Sequence, residues 1–299
     1  MGTGIRRLRP EVALAAVTIL WGSSFTLVKT AIEDVSVVLF IALRFSVAAL
    51  TLLWIYRRDL AGQGRAVRGG VWCGLLLTVA YLLQTFGQRY TTPARSGFLT
   101  ALNVVLVPLL GALVYRVVPR WMEALGISLA LGGMSLMTLS GEGGLGSPVN
   151  RGDVLTIGCA IAYAVHILVV GEFVKTGGFA ALSVTQVVVT AVLCGLAAAA
   201  GIEPVLFRPS AAVWAAVTVT GLLCTALAFT VMAWAQQRLS PTRVALIFAL
   251  EPISAWLTSY LVLDERLGIW PAAGAALILA GVLVVESRPL AKSGHSAEL

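Results

Sequence analysis

The segment PARSGFLTALN at residues 93–103 returns 148 positions later as PTRVALIFALE at residues 241–251, without a gap. When residues 88–137 are laid over residues 236–285, 13 of the 50 positions are identical. Apolar composition shared by two unrelated segments predicts noticeably fewer matches. The repeat therefore indicates that the chain arose by duplication of a half-molecule.

The repeat lies in a chain made mostly of apolar runs. Of the 299 residues, 59% are hydrophobic and 12% are charged, whereas a soluble domain carries about 25% charged residues. A soluble protein of this length has too small an interior for so much apolar surface, so the composition predicts an integral membrane protein. Ten runs approach the roughly 20 apolar residues that span the hydrocarbon layer. They are residues 11–31, 36–56, 69–89, 95–115, 121–140, 152–171, 180–200, 211–234, 242–263 and 269–286.

The predicted fold is all-α, with ten transmembrane helices arranged as two inverted five-helix repeats. We assign residues 1–140 to the first repeat, 141–151 to a glycine-rich linker, 152–287 to the second repeat and 288–299 to a polar tail. Because five is odd, the second repeat enters the membrane upside down. Inverted repeats are the construction of many secondary transporters, which alternate access to one midplane site. A duplication that serves only stability is the alternative.

The placement of Lys and Arg predicts the orientation in the membrane. With a cytoplasmic N-terminus, 14 of these residues fall on inside segments and 5 on outside segments. Because Lys and Arg are enriched in cytoplasmic loops, we expect both termini in the cytoplasm. The net charge of +7 reflects these short basic loops, so we expect no nucleic-acid partner.

Motifs for catalysis and for cofactors are missing from the sequence. There is no HExxH or GxSxG motif and no Walker A loop, so neither an enzyme nor an ATP-driven pump is expected. The four cysteines lie singly in apolar runs, and their surroundings predict small packing residues, not disulfides or a metal site. They are Cys73, Cys159, Cys194 and Cys224. We expect no metal and no cofactor.

Polar residues at the repeated segment are candidates for a cargo site, because titratable groups inside a bilayer are costly. Glu251 stands immediately before Pro252, which predicts a kink, and Ser254 follows on the same helix face. The repeat partner of Glu251 is Asn103, one turn after Thr100. We expect these side chains to face one central cavity. The alternative is that Glu251 pairs with a neighbouring helix, for example with Arg44.

Two further helices carry polar residues at helical spacing. Tyr81, Gln84 and Gln88 form one polar face, which points either into the cavity or to hydrogen bonds between helices. His166 follows Tyr163 by three residues, and either relays protons or packs as a neutral side chain.

Aromatic and basic residues complete the predicted site. Trp21, Ser24 and Phe229 are expected to line the cavity. Lys29 and Arg44 are expected to have gating or structural roles rather than to contact cargo. Glycines at helical spacing predict close packing of the fifth and tenth helices, either within a monomer or across a weak dimer. These glycines are Gly126, Gly132, Gly133, Gly274 and Gly281.

Short motifs make the chain resemble the drug/metabolite transporter superfamily, in its ten-helix branch of exporters built from two EamA-type domains. The motifs are Leu20-Trp21-Gly22-Ser23-Ser24-Phe25, Lys29, Arg44-Phe45, Thr100-Ala101-Leu102-Asn103, Ala249-Leu250-Glu251-Pro252 and Asp264-Glu265-Arg266-Leu267. The resemblance implies secondary transport across the bacterial inner (plasma) membrane, often the export of amino acids or related metabolites. One departure is Tyr115-Arg116-Val117-Val118, where the family commonly shows an acidic turn with glycine.

The sequence thus predicts a secondary transporter that exports amino acids or small metabolites by alternating access. The mostly neutral polar residues suit zwitterions or polar neutral solutes better than strong anions. Coupling to protons and facilitative transport both remain open, as does a channel or a non-transporting membrane protein.

Overall fold

The computed structural model of the protein describes residues 9–116, 119–139, 148–175, 178–263 and 268–287. In this part of the chain the fold is all-α. The helices, numbered in chain order, are α1 (Pro10–Ala31), α2 (Val37–Tyr56), α3 (Gly64–Gly87), α4 (Pro93–Thr100), α5 (Asn103–Tyr115), α6 (Trp121–Leu139), α7 (Arg151–Phe173), α8 (Phe179–Ala199), α9 (Ala211–Gly221), a π-helix (Leu222–Leu227), α10 (Ala228–Gln236), α11 (Pro241–Phe248), α12 (Glu251–Leu263) and α13 (Ile269–Glu286).

The helices have the length and composition of a membrane protein. Eight stretches of the described residues are long and apolar enough to span a membrane, and a ninth apolar helix, Trp121–Met137, is shorter. The predicted membrane class is therefore supported.

Helix α3 begins at Gly64, five residues before the predicted start. In this extension, the guanidinium of Arg65 lies 6.0 Å from the ring of Phe173 and 3.5 Å from the carboxylate of Glu172.

Two of the predicted spans are broken at equivalent positions. Helices α4 and α5 are separated at Ala101-Leu102, and helices α11 and α12 at Ala249-Leu250. At the second break, Pro252 has no amide hydrogen to donate to the carbonyl of residue 248. The first break has Val104 at the equivalent position, so proline is not the shared cause.

Both breaks instead share a tightened turn. The amide of Leu102 donates to the Leu99 carbonyl at 3.3 Å, and the amide of Leu250 donates to the Ile247 carbonyl at 3.0 Å. These bonds span three residues rather than the four of an α-helix. Each break thus places a polar residue, Asn103 or Glu251, at the start of the next helix.

Helices α6 and α13 pack through glycines that allow their backbones to approach closely. A Cβ atom added at Gly126 would meet the Gly281 carbonyl at 2.8 Å, and one added at Gly281 would meet the Gly126 carbonyl at 2.6 Å. Gly133 and Gly274 face each other in the same way. Gly126, Gly133, Gly274 and Gly281 therefore serve a contact within one chain, as predicted, whereas Gly132 faces open space and takes no part in it.

The core lies between residues 10–139 and residues 151–286. Helix α1 packs against α10 and α12, helix α3 against α7 and α8, and helix α2 against α8 and α9. The largest cluster of buried side chains draws on helices from both stretches, including Phe40 and Phe45 of α2 and Ile167 of α7. Each stretch thus buries its apolar faces mainly against the other.

Parts of the predicted organisation fall outside the described residues. This applies to residues 140–147 of the linker region, to the Asp264-Glu265-Arg266-Leu267 motif and to the tail at 288–299. Asn150, in the described end of the linker region, caps helix α7. Its side chain accepts from the Asp153 amide, and the Asp153 carboxylate accepts from the Asn150 amide.

Candidate functional site

A cavity lies where α1, α3, α7 and α10 meet the two helix breaks. Eleven of the twelve residues that the sequence predicts for cargo contact line it. They are Trp21, Ser24, Tyr81, Gln84, Gln88, Thr100, Asn103, Tyr163, His166, Phe229 and Glu251. The structure shows that these residues line one cavity. Their role in binding cargo stays a prediction.

The two polar residues at the helix breaks are buried in this cavity. Asn103 is 2% exposed and Glu251 is 7% exposed. Arg44 also lines the cavity, yet no ion pair between Arg44 and Glu251 is present in the described part of the chain. The alternative that Glu251 is neutralised by Arg44 is therefore not what the structure shows.

Arg44 is held by acceptors from two other helices. Its Nε donates to the Thr225 hydroxyl at 2.7 Å, and its Nη2 donates to the Tyr81 hydroxyl at 3.1 Å and to the Cys224 carbonyl at 3.3 Å. Backbone hydrogen bonds in a π-helix span five residues instead of four, and this shift makes the Cys224 carbonyl available to Arg44. The guanidinium also lies 4.8 Å from the centre of the Tyr81 ring. These contacts fit the predicted structural role, which stays a prediction.

His166 is fully buried and is oriented by a neighbouring amide. Its Nε2 lies 2.8 Å from Oε1 of Gln186, while its Nδ1 has no partner among the described residues. Phe229 packs edge-on to the His166 ring at 5.8 Å, and Trp21 packs against Phe229 at 5.3 Å. The imidazole ring of His166 thus lies beside a wall of aromatic side chains formed by Phe229 and Trp21.

The polar face of α3 both lines the cavity and forms a hydrogen bond to another helix, the two roles between which its spacing did not decide. Gln84 lines the cavity and its Nε2 donates to the Thr100 hydroxyl at 3.0 Å, which links α3 to α4. Gln88 lines the cavity with its Oε1 atom unpartnered in the described structure. The face points inward and also joins helices.

Ser254 is the one predicted cargo residue that does not line the cavity. Its hydroxyl donates to the Leu250 carbonyl at 3.0 Å, and its side chain lies against Gly22 of α1. Thr258, one turn further, donates to the Ser23 hydroxyl at 3.0 Å. This face of α12 is covered because α1 approaches closely at Gly22, and among the described side chains of α12 only Glu251 lines the cavity.

Lys29 does not extend towards solvent, as a Lys near a helix end often does. Its Nζ donates to the backbone carbonyls of Gln88 and Thr91. The predicted gating or structural role of Lys29 gains a physical basis, since the contact joins α1 to the segment after α3. Gating itself stays a prediction.

A buried ion pair that the sequence did not predict lies beside this contact. Arg95 Nη2 is 2.6 Å from Asp153 Oδ2, with side chains 7% and 3% exposed, and the Thr91 hydroxyl donates to Asp153 Oδ1 at 3.3 Å. The pair joins α4 to α7. The repeat supplied a signal, because Arg95 and Arg243 are identical partners and Arg243 also binds a carboxylate, that of Glu286 at 3.6 Å.

Some cavity residues also went unpredicted because they are apolar. Phe248 is the repeat partner of Thr100, so the repeat could have located it. Phe25 and Met232 follow Trp21 and Phe229 by one helical turn, which helical spacing could have shown. Val28 and Ile167 complete this apolar group, and Thr85 is a polar lining residue that also went unpredicted.

Comparisons with known proteins agree with the fold. Residues 9–139 and 150–287 each match the model of the EamA-like transporter family. An uncharacterized transporter of Archaeoglobus fulgidus is 30% identical over 285 residues, covering 95% of this chain and 88% of the relative. The uncharacterized transporter YetK of Bacillus subtilis is 27% identical over 290 residues, covering 93% and 87%.

A solved crystal structure with 20% sequence identity has the same fold, with a TM-score of 0.75 over 93% of this chain and 97% of that one. The family matches cover both halves of the sequence, and the first relative spans nearly the whole chain. The predicted resemblance is thereby confirmed. The chain is a multi-pass membrane protein that belongs to the EamA-like transporter family of the drug/metabolite transporter superfamily.

Proposed function

We propose that this transporter exports amino acids or related small metabolites from the cytoplasm by alternating access. The observation that carries the proposal is the buried cavity between the two family-matched stretches, with Asn103 and Glu251 at its two helix breaks. Discontinuous helices at a site shared by two repeats recur in secondary transporters. A break there supplies free backbone groups and a polar side chain where cargo is bound.

The proposed architecture is ten spans in two inverted halves. Ten spans result when α4 with α5, α9 with α10, and α11 with α12 each cross the membrane as one unit. The double match to one family model supports two copies of one unit. The contacts of α6 and α13 support a twofold relation, since Gly126 faces Gly281 and its repeat partner Gly274 faces Gly133.

The proposed setting is the bacterial inner (plasma) membrane, with both termini in the cytoplasm. In this orientation the Lys29 and Arg95 contacts lie at the periplasmic side of the cavity. The working unit is a monomer or a weak dimer, and the cargo is its principal partner besides the lipid bilayer. We expect no catalysis, in keeping with membership of a transporter family.

Coupling to protons is the proposed energy source, with His166 or Glu251 as the candidate group. Both are buried and line the cavity. A His166→Asn variant whose transport keeps the pH dependence of the unaltered protein would exclude His166 from coupling. Glu251 would then remain as the candidate group.

The test is a panel of radiolabelled amino acids and neutral metabolites, offered to purified protein in liposomes with and without a pH gradient. We expect saturable flux of at least one compound, accelerated by the gradient. Flux that never saturates would indicate a channel or facilitative pore. A complete lack of flux across the panel would contradict the proposal.

A further inference from the structure

Arg44 is a deeply buried cation that has no anionic partner in the described part of the chain. Arg95 is buried to a similar degree, 6% exposed against 4% for Arg44, but it pairs with Asp153 at 2.6 Å. The desolvation of a buried guanidinium is offset by a counter-charge, and neutral acceptors offset it less than an anion does. Because Arg44 lines the cavity, its cargo is in a position to bring that counter-charge.

The hydrogen bonds of Arg44 engage one edge of its guanidinium. Nε donates to the Thr225 hydroxyl, and Nη2 donates to the Tyr81 hydroxyl and to the Cys224 carbonyl. Nη1 forms no hydrogen bond with a described residue and remains accessible from the cavity. Since the guanidinium is planar and rigid, the bonds of Nε and Nη2 also fix the two N–H groups of Nη1. Arg44 thus presents a charged, preoriented pair of donors to the cavity.

The charges of the cavity favour a single carboxylate as the group that Nη1 binds. Hydrogen bonds from a guanidinium to a carboxylate are about twice as strong as those between neutral groups. Glu251 lines the same cavity without pairing with Arg44, so its carboxylate would repel a cargo that carries two or more negative charges. A cargo with one carboxylate and one ammonium group instead offers a counter-charge to both residues.

Aromatic rings extend from Arg44 along the wall of the cavity. The Tyr81 ring centre lies 4.8 Å from the guanidinium carbon of Arg44 and 6.2 Å from the ring centre of Phe229. Trp21 continues this wall at 5.3 Å from Phe229, and all four residues line the cavity. An apolar group attached to the carboxylate is therefore buried against aromatic faces while the carboxylate contacts Nη1.

From this geometry we infer that Arg44 binds the carboxylate of the cargo through Nη1, which makes a carboxylate necessary for tight binding. The inference rests on the proposed function, since it takes this cavity as the cargo site. It narrows the substrate class to compounds with a single carboxylate, of which amino acids are one kind, and away from neutral solutes. It also gives Arg44 a contact with cargo, whereas the sequence predicts only a gating or structural role.

Matched probes on the unaltered protein test the inference. The amino acids of the liposome panel are first tested for binding to the full chain in lipid nanodiscs, by calorimetry at about pH 6, where their amines are protonated. The tightest binder is then compared with its carboxamide and its amino alcohol. Both derivatives keep the amine and the side chain but lack the carboxylate. A second amino acid with a side chain of different size repeats the comparison.

We expect each derivative to bind about tenfold more weakly than its parent or worse, because it loses charge-assisted hydrogen bonds to a buried partner. A carboxamide and an amino alcohol that both bind within about threefold of the parent would overturn the inference. So would the lack of binding by every amino acid of the panel.

A comparison of variants ties the carboxylate to Arg44. In Arg44→Gln the parent amino acid should bind about tenfold more weakly while its carboxamide binds as before, because only the carboxylate makes the lost interaction. Equal weakening of both probes would show that Arg44 acts on the structure alone, and the inference would fall. Arg208→Gln removes an exposed arginine outside the cavity lining and should leave both affinities unchanged.

Arg44→Lys covers the case in which the Gln variant does not fold. An ammonium group keeps the positive charge but cannot reproduce the fixed pair of donors on Nη1. We therefore expect the preference for the parent over its carboxamide to shrink by about threefold or more. An unchanged preference in Arg44→Lys would contradict binding through Nη1.

Failure of this inference is distinguishable from failure of the proposed function. If the liposome panel shows saturable flux and the carboxamides bind as tightly as their parents, export stands and the carboxylate subsite falls. If amino acids bind with a preference that depends on Arg44 while the panel shows no flux, the subsite stands and the proposed export falls.

Discussion

Arg44 and Glu251 show how individual buried charges are treated differently in one cavity. Arg44 binds three acceptors from α3 and the π-helix, which offsets the desolvation of its guanidinium. Glu251 is equally enclosed but has no such partners in the described residues. A buried ionisable group without a partner is a candidate for function, because the structure gains nothing from its charge.

Replacing Glu251 with Gln tests its role. Gln keeps the shape but cannot pair with a cation or release a proton, so we expect the transport rate to fall about tenfold or more. The measurement is initial flux in liposomes at equal protein content. Asp59→Asn, at an exposed position between α2 and α3, is the matched control and should keep full activity. Full activity of Glu251→Gln would remove Glu251 from the mechanism.

The Arg95–Asp153 pair makes a prediction about stability. Asp153→Asn leaves Arg95 without its charged partner while it retains an oxygen for the helix cap, and we expect a loss of about 3 kcal/mol. The comparison is Asp34→Asn, whose pairing with Arg208 spans 3.8 Å between exposed side chains and is worth about 0–1 kcal/mol.

Both variants are to be compared by thermal unfolding in one detergent. A similar small effect for Asp153→Asn and Asp34→Asn would show that burial of the Arg95–Asp153 pair contributes nothing to stability. The pair would then have to be explained by another role, such as positioning α4 against α7.

At the scale of elements, the helix breaks line the cavity, whereas the glycine contact packs two helices together. The breaks at Ala101-Leu102 and Ala249-Leu250 turn Asn103 and Glu251 into the cavity. No described side chain of α6 or α13 lines the cavity, and the two helices pack on each other through glycines. The close packing of α6 and α13 therefore contributes to the fold and not to the lining of the cavity.

Two adjacent glycines of α6 provide a matched stability test. In Gly133→Ala the new methyl would contact the Gly274 carbonyl and Ile278, so α6 and α13 must separate, at a cost of about 1–3 kcal/mol. In Gly132→Ala the methyl meets open space, and the higher helix propensity of Ala leaves stability unchanged or slightly raised. Thermal unfolding in detergent measures both, and equal unfolding temperatures would refute the packing role.

At the scale of the whole molecule, contacts between loops show which of them lie on the same side of the membrane. The α1–α2 and α8–α9 loops meet through a β-bridge between Val35 and Phe207, and the Arg208 amide donates to the Asp34 carbonyl at 2.9 Å. These loops therefore lie on the same side of the membrane. The proposed orientation places that side outside the cytoplasm.

Cysteine labelling tests this orientation in intact cells. The native cysteines are all buried, so they provide a low background. We expect Pro204→Cys, in the α8–α9 loop, to react with a membrane-impermeant maleimide from outside. Arg58→Cys, between α2 and α3, should react only after permeabilisation. The reverse pattern would invert the proposed topology, and labelling of both from outside would refute the count of spans.

The sequence alone determined the membrane class, the approximate ends of the spans and the equivalence of the two halves. Hydrophobicity and helical spacing are local properties, so runs such as 36–56 and 269–286 match α2 and α13 to within one residue. The repeat also marked Asn103 and Glu251 as partners, because duplication preserves position even where side chains diverge.

Only the tertiary structure decided which faces meet. Ser254 shares a helix face with Glu251, yet α1 covers it at Gly22, and sequence spacing carries no information about a neighbour 232 residues away. The partners of Arg44 depend on a π-helix that apolar composition does not reveal. The hydrogen bond from Gln84 to Thr100 in the cavity likewise forms only when helices α3 and α4 pack together, because it depends on atoms from both.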